Sequence, residues 1–175
     1  MSVTTPTASI RRRTLVALME DRPGVLSHVT NLFRRRNFNI ESLTVGHTET
    51  QAISRMTVVV MANDAMLEQI SKQLYKLVNV TKVSEVIDGQ AVIRELALIK
   101  VHATSATRAE IKQLCDIFRA QVLDVSLESM TIEITGTEDK VDSLIEILRP
   151  FGIKEATRTG RVAMARGPLI TNGKA

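Results

Sequence analysis

Between Met19 and Leu43 the chain reads MEDRPGVLSHVTNLFRRRNFNIESL, and this stretch carries the residue types best suited to gripping a small charged molecule. Asp21 brings a carboxylate. Pro23 fixes its own φ and biases Arg22 toward extended geometry, while Gly24 allows a sharp turn or the close approach of another group. Val25, Leu26, Val29, Leu32 and Phe33 then recur at the spacing of one helical face, so a helix starts after Gly24. Its first-turn amides lack intrahelical acceptors and its dipole is positive at that end, which suits an anion such as a carboxylate. Asp-Arg-Pro-Gly also makes an ordinary strand-to-helix turn with Asp21 as part of a cap.

Covalent chemistry finds less support. Catalysis needs a nucleophile, an acid or base and a charge-stabilising group brought together, and the chain has no G-x-S-x-G, H-E-x-x-H or Walker phosphate loop. Glu20 and Asp21 are neighbours in a predicted strand, where adjacent side chains point to opposite faces. Cys115 sits on the apolar stripe of a predicted helix beside Leu114 and Phe118, the setting of a small buried hydrophobe. The single cysteine cannot form an internal disulfide, and His28, His47 and His102 are too dispersed for metal-ligand spacing. No metal site and no resident cofactor are expected.

Thr14 to Met19 (TLVALM) is an apolar run with β-branched members that predicts a strand before the loop. Asn39 to His47 and Ser54 to Met61 predict two more strands joined by the short polar loop Thr48 to Ala52, which suggests a hairpin. Asn63 or Asp64 can cap a second helix carrying Leu67, Ile70, Leu74, Leu77 and Val78. Val80 to Ile87 completes a βαββαβ order. Asp88, Gly89 and Gln90 look like a junction, after which the order repeats: a strand from RELALIKVHA, a helix opened by the capping-box pattern of Thr107 and Glu110, and a strand at Ala120 to Val125. An alternating strand at Met130 to Thr135, a helix with Val141, Leu144, Ile145 and Leu148 stopped by Pro150, and a strand near Ile153 to Thr159 follow.

The fold class expected is therefore α+β, with two consecutive ferredoxin-like βαββαβ domains. Exposed sheet edges in such units need cover, and oligomerisation is one way to supply it. The tail ARGPLITNGKA shows no periodicity. Residues 1–11 and 169–175 are expected to be flexible.

At 175 residues, 44% hydrophobic and 24% charged, the chain can bury one ordinary core or two small ones. No apolar run approaches the roughly 20 residues of a membrane span, and no hydrophobic segment precedes the arginines at 11–13, so a cytoplasmic protein is expected. The net charge of +4 is modest, but arginines cluster at 11–13 and 34–36. Such clusters mark nucleic acid, an acidic protein partner or a solvated helix end, and Arg34 to Arg36 fall where cations favour the helix dipole. RNA recognition by a βαββαβ sheet needs aromatics on the strands. Phe33, Tyr75 and Phe118 fall instead on predicted helices, and Phe38 and Phe151 at loops. Neither nucleic acid nor membrane is an expected partner.

The segments EDRPGVLSHVTNLFRRRNFNIESLTVG, SRMTVVV and LEQISKQLYKLVNVTKVSE resemble the ACT domain, a ligand-binding regulatory module, and more narrowly that of acetohydroxyacid synthase (acetolactate synthase) small regulatory subunits. RELALIKV, IFRAQVLDVS, TIEITG and PFGI resemble the second domain of the same subunits. The resemblance implies an ACT domain over 12–88 and a C-terminal ferredoxin-like domain over 92–168. It implies a non-catalytic subunit that activates the large catalytic subunit and confers feedback inhibition by valine or another branched-chain amino acid. Thiamine diphosphate, Mg and FAD would then belong to that catalytic partner. ACT domains of this family pair side by side as homodimers with the effector at their interface. Carried over by position, the effector-binding residues are Asp21, Gly24, Val25 and Leu26 from the loop, with Asn39 and Ile40 from the partner-side strand. The amides near Gly24, Val25 and Leu26 would take the effector carboxylate, Asp21 or Asn39 its ammonium, and Leu26 and Ile40 its apolar side chain. Many members carry Asn where this chain has Asp21, which would pair with the ammonium or repel the carboxylate according to the pose. An ACT-type sensor acting on another enzyme or on transcription is the alternative.

Overall fold

The structure, a computed structural model, describes residues 9–167. β1 (Arg11–Glu20), α1 (Val25–Arg35), β2 (Ile40–His47), β3 (Ile53–Ala62), α2 (Asp64–Leu74) and β4 (Val80–Val86) form the first unit's βαββαβ order. β5 (Ala91–His102), α3 (Arg108–Phe118), β6 (Gln121–Val125), β7 (Ser129–Gly136), α4 (Glu138–Leu148) and β8 (Ile153–Arg158) repeat it. The two sheets share one strand order, β2-β3-β1-β4 and β6-β7-β5-β8, with every pairing in the first antiparallel. That order is the ferredoxin-like one, and the expected fold class holds for both halves.

In the first unit the alternation along β1 sends Leu15, Ala17 and Met19 to the helix-covered face, where they meet Met56, Val58, Val60 and Ala62 of β3. Val25, Val29 and Phe33 of α1 and Leu67, Ile70 and Leu74 of α2 close this core at the spacing of one helical stripe. In the second unit Ala97, Ile99 and Val101 of β5 and Met130, Ile132 and Ile134 of β7 pack under Ile111 and Cys115 of α3 and Val141, Leu144 and Leu148 of α4. Cys115 is fully buried among them, and burial pushes its thiol pKa up.

Several local expectations are corrected. Arg11, expected in the flexible start, is the first residue of β1 and pairs with Ala62; residues 1–8 and 168–175 lie outside the described residues. Asn63 rather than Asp64 caps α2, accepting from the Met66 amide at 2.9 Å. Asp64 instead meets the Arg13 guanidinium, which also binds Glu85, and this holds the Asp64 carboxyl below its ordinary pKa. α2 ends at Leu74, so Val78 is no core residue and is 93% exposed. The Thr107–Glu110 capping box does not form: Thr107 Oγ1 accepts from the Thr104 amide at 3.0 Å.

A strand not expected from the sequence, β9 (Val162–Ala165), pairs with β5. Among the described residues, 93–162 form a compact second unit and 163–167 group with the first. Arg55 donates to the Ala163 carbonyl at 2.6 Å, and the Arg166 amide donates to the Gln90 carbonyl at 2.9 Å, so the segment through Arg166 is held in place. Among the described residues no helix is long and apolar enough to cross a membrane, and no cluster of His, Cys, Asp and Glu could hold a metal ion.

Candidate functional site

The loop from Asp21 to Gly24 is fixed at both ends by backbone bonds. The Glu20 amide donates to the Asn79 carbonyl at 2.9 Å, and the Asn79 side-chain amide returns a bond to Glu20 Oε2 at 2.8 Å. The Asp21 amide donates to the Ala52 carbonyl at 2.8 Å, which ties the loop to the β2–β3 connection. Arg22 folds back over Glu20, its Nε 3.4 Å from Oε2. The loop is thus braced by the start of β4 on one side and a hairpin on the other.

Gly24 is the N-cap of α1 in the left-handed region, with φ 87° and ψ −16°, where a side chain would be strained. A Cβ there would meet nothing within 4 Å, so the space beside it is open. Gly24 has no side chain to cap the helix, and α1 has no acidic residue in its first turn. The Val25 amide is engaged by the Arg22 carbonyl at 3.3 Å, which removes it from the amides free to hold an anion. Leu26 and Ser27 follow in the first turn, where the helix itself offers no acceptors. Val25 is buried in the core, whereas Leu26 is 39% exposed at the mouth of the loop.

Asp21 is exposed, and its Oδ2 lies 3.1 Å from His47 Nδ1. His47 was not singled out for this place, and only the tertiary pairing of a strand end with a distant loop brings it there. Asn39 is exposed just before β2, and Ile40 is partly buried against the helix-covered core. Asn37, at φ 54°, makes the turn out of α1, and Phe38 packs edge-on to Phe33 with ring centroids 6.3 Å apart.

These two groups of residues do not meet within one chain. The loop sits beside Ala52 and His47, at the end of the hairpin where His47 pairs with Ser54. Ile40 pairs with Val60 at the other end. Seven residue steps of strand separate Ile40 from His47, roughly 24 Å at strand rise. β2 is an edge of its sheet. Antiparallel pairing of two β2 edges about a two-fold axis reverses one strand, and so sets the Asn39 end of one copy against the loop end of the other.

Two sequence profiles match the chain: one described as the AHAS small subunit-like ACT domain over residues 15–82, and one described as the small subunit of acetolactate synthase over residues 94–167. A probable acetolactate synthase small subunit of Archaeoglobus fulgidus is 54% identical over 156 residues, 89% of this chain and 98% of that protein. The acetolactate synthase small subunit of Mycolicibacterium smegmatis is 52% identical over 168 residues, 96% of each. The crystal structure of an acetolactate synthase small subunit from Thermotoga maritima superposes with a TM-score of 0.86 at 45% identity, covering 91% of this chain and all of that one.

Proposed function

We propose, because the chain belongs to the family of acetolactate synthase small subunits, that it is the non-catalytic regulatory subunit of an acetolactate synthase, activating a large catalytic subunit and conferring feedback inhibition by valine or a related branched-chain amino acid. Thiamine diphosphate, magnesium and FAD belong in this reading to the catalytic partner. The observation that carries the effector site is the separation of its two halves to opposite ends of the edge strand β2. Only a second copy, paired antiparallel along that edge, completes it.

In the completed site the effector carboxylate faces the open first turn of α1 beyond Gly24, at the Leu26 and Ser27 amides. Asn39 of the other copy and Asp21 receive the ammonium, and Leu26 and Ile40 line the side chain. Because both chains contribute, the effector binds best to one geometry of the interface, and its differential affinity shifts the catalytic partner between active and inhibited states. Couplings of this kind are typically about 1 to 3 kcal/mol. One methylene in an apolar pocket is worth a similar amount, so valine, leucine and isoleucine compete for one site.

The test is reconstitution with the catalytic subunit, together with calorimetric titration of the isolated chain with L-valine. Wild type is expected to raise acetolactate formation and to bind valine saturably. Asn39→Ala should abolish the valine heat and the inhibition while leaving activation intact. Full inhibition of the Asn39→Ala holoenzyme would remove the residue from the site, and no activation on mixing would remove the partnership.

A further inference from the structure

A second feature of the first unit is a groove of about 320 Å³ between α1 and the end of α2, lined by His28, Asn31, Leu32, Arg35, Arg36, Gln73, Lys76 and Leu77. On α1 the spacing 28, 31, 32, 35, 36 is one helical face. No carboxylate lines the groove. The cations elsewhere in this unit are mostly matched: Arg12 with Glu41, Arg13 with Asp64 and Glu85, Arg22 with Glu20 and Lys72 with Glu68. Arg34, Arg35, Arg36 and Lys76 make no ion pair among the described residues.

The dipoles at the C-terminal ends of α1 and α2 favour cations there, Lys76 following the end of α2, but they supply no formal counter-charge to the cluster these residues form. Like charges gathered without a counter-charge repel one another, a cost that an anionic occupant reverses. The floor of the groove is apolar, with Leu32 and Leu77 half-buried and Val78 exposed next in sequence. From His28 to Arg36 it runs roughly 12 Å along the helix, longer than a single phosphate requires. Length, an apolar floor and cationic walls together fit a peptide segment carrying carboxylates around an apolar side chain.

We propose that this groove docks an acidic segment of the catalytic subunit. The inference rests on the partnership stated under Proposed function. It also gives α1 a second role. Gly24 at one end of the helix belongs to the effector loop and Arg35 and Arg36 at the other end to the docking groove, so one rigid element spans the effector site and the contact it regulates.

The test titrates the catalytic subunit with the full-length chain, reading activation and association at low and high salt. Arg35→Glu/Arg36→Glu should raise the half-saturating concentration at least about tenfold and flatten its salt dependence. Arg35→Lys/Arg36→Lys should retain most of the affinity, and Lys112→Glu on α3 should behave as wild type. All three substituted positions are exposed, and valine heat retained by the double Glu variant verifies its fold. A double Glu variant that associates as wild type does overturns the groove and leaves the partnership standing. Wild type that fails to associate at all overturns both. Inorganic triphosphate that binds the wild-type chain but not the double Glu variant, while leaving association with the catalytic subunit unchanged, would make the groove a site for a small anion and overturn its docking role.

Discussion

The Asp21 amide and the Ala52 carbonyl lie 2.8 Å apart, a backbone bond that locks the loop before α1 to the end of the β2–β3 hairpin. Through it the position of the Gly24 turn depends on the edge strand that would meet a second copy. A shift of that edge would reach the helix start through this one bond rather than through a chain of side chains.

Gly24 tests the loop directly. At φ 87° any side chain is strained although the space around it is free, so Gly24→Ala should cost about 1 to 2 kcal/mol in urea unfolding through the backbone alone. Gly24→Asp adds a negative charge where the effector carboxylate is proposed to sit, and should abolish valine inhibition at a similar stability cost. Inhibition by valine that survives in Gly24→Asp would place the carboxylate elsewhere.

The edge of β2 tests the dimer. Val45 is 40% exposed on that strand, and Val45→Lys would set charges along a proposed strand pair. Sedimentation velocity should show a dimer for wild type and a monomer for the variant, with valine heat lost and circular dichroism unchanged. An intact dimer with normal valine binding would move the interface off β2.

Acid should weaken the contact between β1 and α2. The hydrogen bond from Arg13 holds the Asp64 carboxyl below its ordinary value, so the contact stabilises the fold above the unfolded-state pKa of about 3.9 and is lost as pH falls through the lower folded-state value. Wild type and Asp64→Asn should therefore differ in urea unfolding at neutral pH and converge at lower pH. Parallel curves down to acid would mean that the ion pair contributes nothing.

Cys115 should be inert in the native state. It is fully buried in the second core, and its thiol pKa is raised by desolvation, so labelling by Ellman's reagent should be at least about a hundredfold slower than in urea. Rapid native labelling would show that α3 opens readily.

Most elements were legible because their signals are local. The alternation of Met130, Ile132 and Ile134 placed β7, and Pro23-Gly24 before the stripe of Val25, Val29 and Phe33 placed the start of α1. Leu77 and Val78 continued a helical spacing past the real end of α2, because apolar periodicity does not mark where backbone bonding stops. β9 was missed because four residues carry too little pattern, and its pairing with β5 is distant in sequence. Thr107 and Glu110 have the composition of a capping box, but Thr104 supplied a competing bond.

For the candidate site, sequence by itself determined the residue types, the break at Pro23-Gly24 and the helix that follows, since φ preferences and apolar spacing act within a few residues. Tertiary structure alone decided that the Val25 amide is taken, that His47 faces Asp21, and that Asn39 lies a strand's length from the loop. Those facts depend on strand register and on which strand is left at the sheet edge. Register and edge position follow from pairings between residues far apart in the chain, for which no local preference exists.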